Sequence, residues 1–232
     1  MIRMLNIHTV PKEEEGSTWL QLFFDLVYVA ILIELGNRFS HDLTLEGLFA
    51  FLVIFVPVWW SWLEFVDYGR RYPVDDIGQR LLTVLYMTAM LLLAFEIHAM
   101  VNSASFAFLI TYGLSKFILA LMYGRAWYYY PEYRHLTRDR SLSFSLIGLF
   151  WVALAILAPA GIWPLLLIIT VGALTPAAIR RLHRATNRSH LPEPTIKHHF
   201  TLHRFGELTI IVLGEFFIKL VTSSSGRELT LL

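Results

Sequence analysis

The chain has 232 residues, 56% of them hydrophobic and only 16% charged, with a mean hydropathy of +0.56. A soluble domain carries roughly 25% charged residues, so this composition cannot coat a globule in water and points to an all-α, polytopic membrane helix bundle. The net charge of +1 gives no bulk case for nucleic-acid binding, and the absence of cysteine excludes disulfides, thiolate metal sites and cysteine nucleophiles.

Residues 1–17 form a polar N-terminal segment carrying Glu13, Glu14 and Glu15. It lacks the basic start and immediate apolar run of a cleavable signal peptide, so the first apolar segment is expected to stay in the mature protein. A spanning helix needs about 20 mostly apolar residues. Seven segments meet or approach that length, at 18–38, 47–67, 78–98, 106–127, 142–159, 162–180 and 202–222, followed by a tail at 223–232. The breaks have physical causes. Asn37 to Glu46 is polar, and Tyr72-Pro73-Val74-Asp75-Asp76 is a turn that offers the third helix an acidic N-cap. Asn102-Ser103 parts the third span from the fourth, Pro131 to Arg140 is a polar, charged connection, and Pro159-Ala160-Gly161 with Pro164 makes a short hairpin. Arg181 to His199 is the longest loop. Pro57 and Pro176 fall inside expected helices and should kink them.

Seven spans put the N-terminus on the same side as the second, fourth and sixth loops. That side holds Arg3, Lys12, Arg70, Arg71, Arg80, Arg125, Arg134, Arg138, Arg140, Arg180, Arg181, Arg184, Arg188, Lys197 and Arg204, which is 15 of the 19 basic residues. The other side has Arg38 and Arg227, while Lys116 and Lys219 fall within spans. Cationic loops stay cytoplasmic, so the N-terminus is expected inside and the C-terminus outside. Two groups, Trp59, Trp60, Trp62, Tyr68 and Tyr72, and then Trp127 to Tyr130, lie near the inner ends of the second and fourth spans. They read as an interfacial aromatic belt.

A charge at the bilayer centre costs about 2.5–3.5 kcal/mol on insertion scales, so ionisable residues inside spans are candidate functional groups. They are Asp25, Glu34, Glu64, Lys116, Glu207, Glu215 and Lys219. By helical rise Lys116 sits close to the midplane, with Asp25 and Glu215 each about 4–5 Å from it on opposite sides. The expectation is an ion or substrate site in which Asp25, Lys116 and Glu215 converge, with Glu34, Glu64, Arg204, Glu207 and Lys219 as secondary buried polar groups. Two alternatives stand beside it. The charges form a network that only fixes helix packing, or Glu215 and Lys219, four residues apart, pair with each other.

His199, His203 and Glu207 recur at four-residue spacing, a weak metal-ligand pattern to which the spacing adds no third histidine or cysteine. No glycine-rich phosphate loop, nucleophile elbow or HExxH motif is present. No motif asks for catalysis or names a cofactor.

Two long stretches are distinctive. Residues 19–29 read WLQLFFDLVYV, and residues 204–215 read RFGELTIIVLGE. They resemble the "ELFFDLVFV" and "ERFGLFTIIVLGES" segments of the bacterial low temperature requirement A (LtrA) family. Trp59-Trp60 and the stretch Asp75-Asp76-Ile77-Gly78-Gln79-Arg80-Leu81-Leu82 fit the same order. The resemblance implies a multispan bacterial membrane protein whose biochemical activity is not established, and it singles out Asp25, Arg204, Gly206, Gly214 and Glu215. There are departures: His203 stands where the pattern has Glu, Glu207 where an apolar residue is usual, and Phe216 where a small one is. Longer members continue with further helices, so the chain resembles a short form or a fragment, and a homo-oligomer is one way to supply the remainder.

Three functions follow as expectations for a protein of the bacterial cytoplasmic membrane with the lipid bilayer as its partner. The first is transport or conduction of an ion or small solute through a midplane site with buried carboxylates. The second is a non-catalytic scaffold or cold-adaptation component. The third is a receptor or photoreceptor-like seven-helix protein, with Lys219 as a Schiff-base lysine.

Overall fold

A computed structural model describes residues 19–74, 76–97, 106–157 and 198–228, and in the last stretch the side chains of 202–215, 217, 218 and 221. The described residues contain only helices. These are α1 (Trp19–Ser40), α2 (Leu45–Arg71), α3 (Ile77–Glu96), α4 (Phe106–Tyr129), a 3-10 turn at Pro131–Tyr133, α5 (Arg134–Leu157) and α6 (His198–Glu228). Five segments, α1 to α4 and Pro131–Leu157, are long and apolar enough to cross a membrane. The expected sixth span at 162–180, with Pro176, lies outside the described residues. The expected seventh falls within α6.

The helix ends follow local chemistry. Thr44 caps α2 by accepting from the Gly47 amide at 3.0 Å, and Asp76 caps α3 by accepting from Gln79 N at 2.7 Å, so one of the orphan amides at each N-terminus is bonded. Arg38, at the end of α1, donates to the Ile97 carbonyl at the C-terminus of α3. The polar stretch from Pro131 to Arg140, expected as a connection, is instead the 3-10 turn and the first two turns of α5. Its charges do not oppose helix because they have partners on other helices. Arg140 reaches Asp67 on α2 at 3.1 Å, and Arg134 lies over the Trp127 ring.

Each helix hides one stripe and exposes another. On α1 the buried side chains include Leu20, Phe24, Tyr28, Ile31 and Leu35, which recur at three- and four-residue intervals. Leu22, Phe23 and Leu26 between them are exposed. Leu81, Val84, Leu85 and Leu92 on α3, and Leu142, Leu146 and Leu149 on α5, are likewise exposed. An apolar exterior over an apolar core suits hydrocarbon as the surrounding medium and not water. The most extensive interface joins α4 and α5. It closes at Gly113 and Gly148, where a Cβ on either residue would come within 3.0 Å of the other's carbonyl oxygen. Small residues let membrane helices approach this closely.

The aromatic residues correct one expectation. Trp127 and Tyr128 are exposed, as a belt requires, but Trp62, Tyr68 and Tyr72 are buried. Tyr68 donates to Gln79 Oε1 at 3.1 Å or the Met122 carbonyl at 3.2 Å. Tyr68 sits where α2, α3 and α4 pack, Tyr72 stacks beside it, and Trp62 sits where α2 meets α1 and α6, so all three are core and not headgroup anchors. Burial pushes the Tyr72 phenol up to about 12.

Candidate functional site

Two charged pairs lie inside the bundle, and both are organised by one turn of α2. Ser61 and Trp62 are adjacent, so their side chains leave the helix about 100° apart, and Glu64 follows on the Ser61 side. The first pair is on the Trp62 side. Asp25 of α1 is fully buried, and its Oδ1 accepts from Trp62 Nε1 at 2.8 Å and from Arg204 Nη2 of α6 at 2.8 Å. Arg204 and Leu208, one turn apart, are the buried residues on that part of α6. Phe205 beside them packs edge-on to Trp62 with ring centroids 4.9 Å apart.

The second pair is on the Ser61 side. Lys116 of α4 is buried, bonds Glu64, and donates to Ser61 Oγ at 3.0 Å. Its ammonium also lies 4.4 Å from the centre of the Tyr112 ring. Tyrosines from two helices close this layer. Tyr112 donates to the Pro57 carbonyl at 3.1 Å, and Tyr86 of α3 donates to the Ser61 carbonyl at 3.0 Å.

The structure corrects the expected pairing of Asp25, Lys116 and Glu215. Lys116 takes Glu64 as its carboxylate, and Asp25 takes Arg204. Asp25 meets α2 through Trp62 and Lys116 meets it through Ser61, on neighbouring faces of the same turn. Glu215 is half-buried and has no ion-pair partner among the described residues. The Lys219 side chain lies outside the description, so pairing between those two is not addressed. Glu34 is half-buried on α1. His203 Nδ1 and Glu207 Oε1 pair with each other at 3.0 Å, while the His199 side chain lies outside the described residues. Among the described residues no group of three metal-ligating side chains gathers.

Sequence reasoning missed Trp62 and Ser61 as partners of the buried charges. Trp62 was hidden among aromatics that looked like belt residues.

The two pairs differ in how fully they are bonded. At the Asp25 site, Asp25 Oδ2, Arg204 Nε and Arg204 Nη1 are all buried and make no hydrogen bond to the described residues. Leaving a buried polar atom unbonded costs about 1–3 kcal/mol, and more for a charged group. Three such atoms on one ion pair are a large unused hydrogen-bonding capacity.

At the end of the bundle where α2 finishes, a small cleft of about 50 Å³ opens between α1, α2 and α3. Leu20, Gln21, Phe65, Tyr72, Gln79 and Arg80 are among its lining residues. Phe65 also packs on Phe24, the neighbour of Asp25, with ring centroids 4.1 Å apart, and stacks on Tyr86 at 5.3 Å. An aromatic layer thus adjoins both the cleft and the residue preceding the buried carboxylate.

The sequence pattern of the family described as "Bacterial low temperature requirement A protein (LtrA)" matches residues 16–232. The chain belongs to the LtrA family. Together with its apolar helices, this makes it a multi-pass membrane protein of bacterial type. No curated protein and no solved structure matches it. Both LtrA segments noted in the sequence meet in space, since Asp25 comes from the first and Arg204 from the second.

Proposed function

We propose that this LtrA protein moves a small solute or ion across the bacterial cytoplasmic membrane through a site centred on Asp25. Arg204 is the counter-charge of that site, and Glu215 and the Lys116–Glu64 pair are further charged groups of the pathway. The seven-span layout, with the N-terminus inside, belongs to the same proposal and rests on the asymmetry of the basic loops. One observation carries the reading: a fully buried carboxylate and guanidinium inside an apolar bundle keep hydrogen-bonding atoms unused. Charged groups at such depth are costly, and a pair that served packing alone would be expected to satisfy itself. By helical rise Asp25 lies about 7 Å from the middle of α1. The cleft between α1, α2 and α3 supports an approach from the α2–α3 end, with the Phe24–Phe65–Tyr86 layer as the barrier.

The test is flux in proteoliposomes. Asp25→Asn and Glu215→Gln are expected to reduce solute or ion flux at least tenfold while the protein still inserts. Flux indifferent to both substitutions defeats the proposal.

A scaffold reading also has an observation in its favour. Lys116 is enclosed by Glu64, Ser61 and the Tyr112 ring, and joins α2 to α4 with no hydrogen-bonding capacity to spare at its ammonium. If variants of both pairs change stability and leave every flux untouched, the scaffold reading is the better one.

A further inference from the structure

At the end of the bundle where α2 and α4 finish and α5 begins, the arginines fall into two groups. Arg70, Arg71 and Arg140 all bond Asp67, and Arg125 bonds both oxygens of Asp76. Arg134 and Arg138 are different. Both are exposed, and neither guanidinium has a hydrogen bond or an ion pair to the described residues. Glu132, exposed in the turn just before them, pairs with neither. Arg134 instead lies over the exposed Trp127 ring, 5.3 Å from its centre.

These two arginines head a longer pattern. Arg134, Arg138, Leu142, Leu146 and Leu149 are all exposed, and their spacing of three or four residues puts them on one stripe of α5. Phe144, Gly148 and Trp151 are buried on the other side. The stripe is cationic over its first two positions and apolar beyond them. From Arg138 to Leu149 the helix rises about 16 Å, close to the half-thickness of a hydrocarbon core of about 30 Å. The stripe therefore follows the order of a phospholipid, with charge at the interface and hydrocarbon below it. The exposed stripe of α1 at the same end, Trp19, Phe23 and Leu26, carries no cation.

The chain offers these two arginines little counter-charge. Asp67 and Asp76 are already engaged. Residues 158–197, outside the described part, contain one carboxylate, Glu193, against five arginines and lysines. Glu13, Glu14 and Glu15 precede α1, and α1 packs on α3, α3 on α4 and α4 on α5, which sets that segment's attachment two helices away. A phosphate in the headgroup layer meets the need. Arg134 and Arg138 are one turn apart, about 6 Å along the axis, and each guanidinium can give a phosphate two parallel N–H bonds.

We propose that the outward stripe of α5 binds one anionic phospholipid, its phosphate held between Arg134 and Arg138 and an acyl chain laid along Leu142, Leu146 and Leu149. Trp127 holds the Arg134 guanidinium at headgroup depth. This site is separate from the Asp25 pair and stands whether or not the protein transports anything.

The chain has no cysteine, so one introduced cysteine carries a fluorescent label at a single place. Full chains labelled at Leu146→Cys on α5 or Phe23→Cys on α1 are read in mixed vesicles of phosphatidylcholine and phosphatidylglycerol. One lipid at a time is brominated, so that it quenches the label it touches. At Phe23→Cys the two lipids should quench in proportion to their bulk amounts. At Leu146→Cys phosphatidylglycerol should be enriched at least fivefold, about what one cation at an anionic membrane surface contributes. Arg134→Gln with Arg138→Gln, both at exposed positions, should return that ratio to the bulk value without moving the thermal midpoint. Equal ratios at the two labels overturn the proposal, as does an enrichment that survives the double glutamine variant. Absence of quenching at Leu146→Cys by either lipid overturns it too, and makes a second copy of the chain or residues 162–180 the cover of the stripe. Enrichment that appears only after Glu13→Gln, Glu14→Gln and Glu15→Gln makes the N-terminal segment the counter-charge.

Discussion

The Lys116–Glu64 pair and the Asp25–Arg204 pair sit on two sides of one helical turn, yet they are built to different standards. Around Lys116 the ammonium has a carboxylate, a hydroxyl and an aromatic face, and two tyrosines bond carbonyls of the same helix segment. Around Asp25 one oxygen carries two bonds while the opposite oxygen and two nitrogens of the Arg204 guanidinium carry none to the described residues. Low dielectric raises the stakes at both. A satisfied network rigidifies, whereas an incompletely satisfied one is a place where something else is bound. The first pair joins α2 to α4, inside the block that α4 and α5 complete. The second joins α1 to α6, near the edge of what is described.

The largest effect is expected from breaking the satisfied pair. Lys116→Met leaves Glu64 without its cation in an apolar surrounding and should cost about 3–5 kcal/mol of stability, as removal of one partner from a buried pair does. Replacing both residues, Lys116→Met with Glu64→Leu, should recover most of that loss. Thermal or denaturant unfolding in micelles checks both. A double variant as unstable as the single one would mean that the hydrogen bonds to Ser61 matter more than the charge balance.

Asp25→Asn should cost less, about 1–3 kcal/mol, because asparagine keeps an acceptor for Trp62 and Arg204. Its functional effect should be larger than its structural one: flux falls at least tenfold while the folded protein persists. The comparison fails if Asp25→Asn proves the more destabilising of the two substitutions.

How much of this was legible beforehand depends on which coordinate is asked for. Apolar runs fixed by bilayer thickness revealed the helices, and the Asp75-Asp76 pair announced a cap that Asp76 supplies. Asp25 stood out because a carboxylate within FFDLVYV has no business in lipid unless it is compensated. Depth along each helix was also readable from the rise per residue. Rotation about each helix axis was not, and rotation decides partnership. Lys116 shares a depth with Asp25 but points to Ser61 and Glu64, and the true partner of Asp25 lies 179 residues away. Trp62 was misread for a related reason: an indole near a helix end looks like a headgroup anchor until a neighbouring helix covers it. The helical start of α5 was obscured by its charges, of which Arg140 finds its partner, Asp67, on another helix.

Smaller effects sharpen the contrast. Tyr86→Phe removes a hydroxyl that donates to the Ser61 carbonyl, and should lower stability by about 1 kcal/mol, the usual net worth of one hydrogen bond. Flux should be unchanged, since this hydroxyl bonds α2 on the Lys116 side. A flux defect as large as that of Asp25→Asn would show that the two pairs form one site.

The smallest expected effect comes from Tyr123→Phe, and it is the most diagnostic control. Tyr123 is buried on α4 against Phe144, with ring centroids 5.4 Å apart, and its hydroxyl, like that of Tyr28, has no hydrogen bond to the described residues. Removing an unbonded buried hydroxyl without altering the ring should be neutral or raise stability by up to about 1 kcal/mol. Tyr28→Phe should behave the same way, since its hydroxyl is also unbonded. Neither substitution should change flux, whereas Asp25→Asn lowers it at least tenfold. If either phenylalanine variant loses as much flux as Asp25→Asn, flux follows the packing of the bundle, and the unused atoms at Asp25 carry no more meaning than the hydroxyl of Tyr123.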